Sequence, residues 1–169
     1  YIFQTMLRNP LANPNVIGIT AGSSAAAVFC IIVLHASNTV VSIASVVGGL
    51  ATAIVIYMLA KGTSFSIGRL ILIGIGIQAM LNAVINYLML IGKTNDIPTA
   101  MRWLSGSLNG AKMENLYPLL IAVVIFMPII LFYGKRLEML ELGEQAATSL
   151  GVDTNKTRII LIISSVLII

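Results

Sequence analysis

Glu141-Leu142-Gly143-Glu144-Gln145-Ala146-Ala147-Thr148-Ser149-Leu150-Gly151-Val152 is a short polar island between two strongly apolar runs. The runs on either side have the character of membrane spans, so the island is where the chain meets water and anything soluble. Its centre, residues 144–150, holds neither Pro nor Gly and suits a short helix. Gly143 and Gly151 bracket it as breakers, and Gly151 suits a left-handed C-terminal cap. Ala146, Ala147 and Leu150 fall together at three- and four-residue spacing, while Glu144, Gln145, Thr148 and Ser149 stay polar. Such a mixed face suits docking into a groove.

Working outward, 58% of the residues are hydrophobic and 9% charged, with a mean hydropathy of +1.00. A soluble domain carries about a quarter charged residues. The expected fold class is therefore all-α, a polytopic transmembrane helical bundle. The formal net charge is +4, but the ten Lys and Arg are scattered singly or in pairs, with no basic face interleaved with aromatics. That argues against nucleic acid as a partner. The one cysteine, Cys30, lies inside an apolar run without a partner, which excludes a disulfide and a cysteine-based metal cluster.

Residues 1–7 read as the tail of a preceding span, stopped by Arg8-Asn9-Pro10 and again by Asn13-Pro14, since proline cannot continue a helix. The chain begins at Tyr1 and ends at Ile169 inside an apolar run, so it is expected to be a fragment with partial spans at both ends. Complete spans are expected at about 16–34, 39–60, 68–91 and 115–133, with a truncated one from 159, because about twenty apolar residues cross the hydrocarbon. All of residues 1–169 then belong to one transmembrane domain, with 134–158 as a cytoplasmic segment. The first span is rich in Gly, Ala and Ser from Gly18 to Ala27, and small residues let helices approach closely in lipid. In the second, Ser42, Ser45, Gly49 and Thr52 share a face expected to pack. In the third, Gln78, Asn82 and Asn86 are four apart and project within about 80° of one another. A polar stripe in lipid faces protein or water, so it either bonds a neighbouring helix or lines a path. Pro128 is expected to kink the fourth span.

Charge sets the orientation. The island's side receives Arg8, Lys61, Arg69, Lys135, Arg136, Lys156 and Arg158, seven of the ten positive residues; Lys93, Arg102 and Lys112 take the other side. The positive-inside rule makes the island cytoplasmic.

Gln145-Ala146-Ala147-x-x-x-Gly151 resembles the "EAA…G" cytoplasmic loop of bacterial ABC-importer permeases, with Gln for the leading Glu. Leu142-Gly143-Glu144-x-Ala146-x-x-Ser149-Leu150-Gly151-Val152 is more similar to the version in iron-siderophore and vitamin B12 permeases, the FecCD-like family. Arg8-Asn9-Pro10-Leu11-Ala12-Asn13-Pro14, followed by Gly18 and Ala21-Gly22, agrees with it. So does Trp103-Leu104-x-Gly106-Ser107-Leu108. The resemblance implies a permease subunit in the bacterial cytoplasmic membrane that takes up a ferric siderophore, with vitamin B12 or haem as alternatives. It implies an ABC ATPase homodimer, a second permease subunit and an extracytoplasmic substrate-binding protein as partners. Coupling to the ATPase would fall to Glu141, Gly143, Glu144, Gln145, Ala146, Ala147, Leu150, Gly151 and Val152. Ala146 and Ala147 are the expected contact residues.

No catalytic site is expected. Gly74-x-Gly76-x-x-Ala79 imitates a dinucleotide fingerprint, but it lies within a membrane-length run with no preceding strand. Gly92-Lys93-Thr94 imitates the end of a P-loop, yet Tyr87 stands where the first glycine belongs. The chain itself is thus expected to bind no ATP, cofactor or metal. His35, the sole histidine, has no acidic neighbour and sits at a turn; Asp96 and Glu114 read as solvated loop charges. A channel or ion-coupled carrier is the rival class, but all ten Lys and Arg and all six Asp and Glu fall in loops or span ends, whereas ion coupling places ionisable groups at mid-membrane.

Overall fold

A computed structural model describes Gln4 and residues 18–60, 67–106, 116–141 and 144–168. Every regular element among these is helical. The helices are α1 (Ile19–Ile32), α2 (Asn38–Ala60), α3 (Ile67–Ile91), α4 (Ile97–Ser105), α5 (Leu116–Glu141), α6 (Glu144–Ser149) and α7 (Thr154–Ile168). They fall into two compact units, Pro14–Ala111 and a second made of Tyr1–Asn13 with Lys112–Ile169. Two of them, α2 and α3, are long and apolar enough to cross a membrane.

In the first unit α1 is the centre, packed against α2, α3 and α4. Its small residues make this possible. A β-carbon on Gly22 would collide with the Thr52 side chain and lie 2.9 Å from the Gly48 carbonyl oxygen; one on Gly48 would lie 2.6 Å from Ala26 Cβ. Likewise, one on Gly49 would collide with Ser23 Oγ. Between apolar helices in lipid the driving force is van der Waals contact, which grows as backbones approach. The small half of α1 therefore lies inside the bundle, as its composition predicts. On α2 the packing face is corrected in part: Gly49 and Thr52 meet α1, but Ser42 is exposed and donates to the Asn38 carbonyl (3.0 Å) of its own helix. Ser45 does the same to Ser42 (2.8 Å). Val41, Ala53, Ile56 and Ala60 hold the buried positions instead. Towards the far end of α1 the core gathers Val28, Ile31 and Ile32 with Val41, Ile85, Leu88 and Ala100.

At 14 residues α1 is shorter than its apolar run. Gly18 caps it in the left-handed region at φ 83°, and the chain leaves it through His35 at φ 46°. A fourteen-residue helix is about 21 Å long. In the second unit α5 packs against α7 and α6. α5 runs unbroken through Pro128 to Glu141, past the expected span end at 133. Helix α4 is an element inside what reads as a loop in the sequence.

Candidate functional site

The island's helix, α6, is tied down by its C-terminus. The Val152 N–H donates to the Ala147 carbonyl (3.0 Å) and the Gly151 N–H to the Thr148 carbonyl (2.9 Å), with Gly151 at φ 80°. This pair of bonds is a Schellman closure, whose usual companion is an apolar contact between the two residues that frame it. Both Ala147 and Val152 are indeed buried, Ala147 fully. One residue later Asp153 opens α7: its Oδ1 accepts the Lys156 N–H (3.0 Å) and its carbonyl the Thr157 N–H (3.0 Å). Its Oδ2 lies 3.4 Å from Lys156 Nζ. The sequence carried this cap in plain form, an Asp directly before the first helical residue.

The direction of Ala147 changes which residues can meet a partner. Its side chain has no accessible surface, so the expectation that it is itself a contact residue does not fit the geometry. Among the described side chains of this corner, Leu150 is 61% exposed, with Thr148 and Ser149 exposed beside it. Glu141, Glu144, Gln145 and Ala146 are placed in helices by their backbones. Gly143 lies outside the described residues, as do Arg8, Asn9, Pro10, Leu11, Ala12, Pro14 and Ser107.

In the first unit the three stripe residues separate. Gln78 is half-buried, because Gly18 approaches α3 so closely that a β-carbon there would lie 2.9 Å from the Gly74 carbonyl and 3.2 Å from Gln78 Cβ. Asn82 and Asn86 turn out onto the exposed side of α3, among Ile75, Met80, Leu90 and other apolar side chains. Two amides thus stand on an otherwise apolar, membrane-length face.

At the far end of α1, His35 Nδ1 lies 3.4 Å from Asp96 Oδ2. The histidine therefore has an acidic neighbour after all, brought from sixty-one positions away by the packing of α4 on α1. Asp96 is correspondingly not a purely solvated charge; its side chain is 24% exposed. Among the described residues no three His, Cys, Asp or Glu side chains come together. Ala100 is the buried foot of α4, and Trp103 and Leu104 remain partly exposed. Gly106, at φ 68°, ends the helix, its N–H donating to the Trp103 carbonyl (3.3 Å).

Comparison with known proteins assigns this arrangement. The chain is 32% identical over 170 residues to the ferric enterobactin transport system permease protein of Escherichia coli, covering 99% of this chain and 51% of that one. It is 34% identical to the iron(3+)-citrate import system permease protein of Bacillus subtilis (98% and 50%) and 32% identical to the cobalamin import system permease protein of Halobacterium salinarum (98% and 45%). The chain spans about half the length of these relatives. A solved inward-facing structure described as a metal-chelate type ABC transporter superposes with a TM-score of 0.89 at 28% identity, over 99% of this chain and 54% of that one. The profile of the FecCD transport family matches residues 1–169, and the chain belongs to that family.

Proposed function

We propose that this chain is part of the permease subunit of a bacterial ABC importer that carries a ferric siderophore through the cytoplasmic membrane. Its relatives are named for siderophore, ferric citrate and cobalamin uptake. The cargo class is therefore a bulky metal chelate, with vitamin B12 and haem as the other members. ATP hydrolysis belongs to a separate ATPase dimer under two permease subunits, and an extracytoplasmic binding protein delivers the chelate. Closure of the ATPase displaces α6, and rigid helices carry that displacement to the gates. Asn82 and Asn86, with Gln78 at their edge, line the path.

The observation that carries this reading is the closed corner at residues 147–152. Ala147 is buried, Leu150, Thr148 and Ser149 are exposed, and two backbone bonds fix the turn that joins them to Val152. Coupling rests on Leu150 as the apolar anchor, and the inward Ala147 acts by holding it. Leu150→Arg changes an exposed position, so folding should shift by less than about 0.5 kcal/mol. Copurification of the ATPase and uptake of radio-iron as its siderophore should both be lost while permease abundance stays normal. If Leu150→Arg leaves both at wild-type level, the coupling assignment fails.

A further inference from the structure

We propose that the cytoplasmic end of α5 holds the phosphate headgroup of an anionic phospholipid, with Arg136 as the principal ligand and Lys135 beside it. The exposed face of α5 is apolar through Leu120, Ile121, Val124, Ile125 and Leu131, then carries Phe132, and after it Lys135 and Arg136, both exposed. At 100° per residue Phe132, Lys135 and Arg136 lie within that same exposed arc. Arg136 Cζ sits 5.0 Å from the Tyr133 ring centroid and 5.8 Å from that of Phe132, and the two rings meet edge to face at 5.7 Å. Cation–π attraction to the two rings steadies the guanidinium, whose forked N–H groups can hold a phosphate in bidentate fashion. It also holds the charge back at the level of the aromatic rings, where a membrane's headgroups begin. Among the described residues neither Lys135 nor Arg136 has an ion-pair partner.

The order of charge along the axis is a second, independent observation. On α5, Lys135 and Arg136 come nearest the apolar run and Glu138 and Glu141 follow farther out. On α7, packed against α5 in the same unit, Asp153 comes first and Lys156 and Arg158 stand nearer its apolar run. Both helices set acids away from the membrane edge and bases at it, which is the arrangement that complements a negative surface.

Native mass spectrometry of the intact transporter, exposed in turn to phosphatidylglycerol and phosphatidylcholine, tests this. Wild type should retain phosphatidylglycerol in clear preference. Arg136→Gln and Lys135→Gln should each weaken that preference about fivefold, the effect of one positive charge at a lipid surface. Lys93→Gln, on the opposite side, should leave it unchanged. Equal retention of the two lipids by wild type overturns the proposal without recourse to any variant. So does an unchanged preference in the Arg136→Gln, Lys135→Gln double variant, or displacement of the lipid by an equal concentration of inorganic phosphate, which would mark a simple anion site. The proposal rests on the permease reading for its membrane setting. Lipid retention is read without uptake, so either can fail alone.

Discussion

Gly151 has open space where a β-carbon would stand, so its φ of 80° is the only obstacle to a side chain there. Gly151→Ala should cost about 1–2 kcal/mol through left-handed strain alone. Gly151→Asn should cost less, since Asn tolerates that region. Thermal unfolding of the purified permease reads the difference; equal loss in both variants would mean the strain account is wrong. Gly48 presents the opposite case, ordinary in conformation but crowded, with Ala26 Cβ at 2.6 Å and the Gly22 carbonyl at 2.7 Å from the added atom. Gly48→Ala should destabilise by about 1–3 kcal/mol through overpacking. Pairing it with Ala26→Gly should restore part of the loss, and no restoration would show that the contact does not set the helix separation. Of these positions the turn at Gly151 was legible in the sequence, because the need for positive φ is local. The inward direction of Ala147 was not, since it depends on which way α7 leaves the corner.

Among the helices, α3 asks the sharpest question. Asn82 and Asn86 stand on its exposed side, and amides facing hydrocarbon with no partner are costly. If Asn82 lines the proposed path, Asn82→Leu should keep the protein's abundance in the membrane and lower uptake, because it removes donor and acceptor without touching the buried face of α3. A fall in abundance with uptake per molecule intact would make the residue a packing element instead. Spacing alone could not divide the stripe. Four-residue steps drift by 40° each, so Gln78 ends against Gly18 while Asn86 ends outside, and only the position of α1 fixes where the boundary falls. α4 was illegible for a related reason. Its apolar residues Ile97, Ala100, Met101 and Leu104 do recur at helical spacing, but nine residues with one buried side chain, Ala100, make a helix too short to stand out from the polar stretch around it. The His35–Asp96 contact follows from α4 and was hidden with it.

For the molecule as a whole, hydropathy gave the helical class and charge gave an orientation. The division into two compact units, by contrast, depends on contacts between distant segments that no local pattern encodes. Orientation can be tested cleanly because the native cysteine, Cys30, is buried. A cysteine at Thr148 should react with a membrane-impermeant thiol reagent only once the cytoplasmic side is opened, and one at Met101 should react in intact cells. Both positions are exposed. Labelling of the Thr148 position in intact cells would reverse the topology and, with it, the side on which an ATPase could dock.

The contact of Gly22 with Gly48 has a consequence for inheritance. Every amino acid that can replace glycine carries a β-carbon, and at either position that single atom already meets backbone or a side chain of the facing helix. No conservative neighbour exists in the genetic code for these two sites. In a library of all single-nucleotide variants the missense members at both codons should therefore be depleted relative to the synonymous ones, whereas Gly76, with nothing within 4 Å, should accept alanine and serine freely.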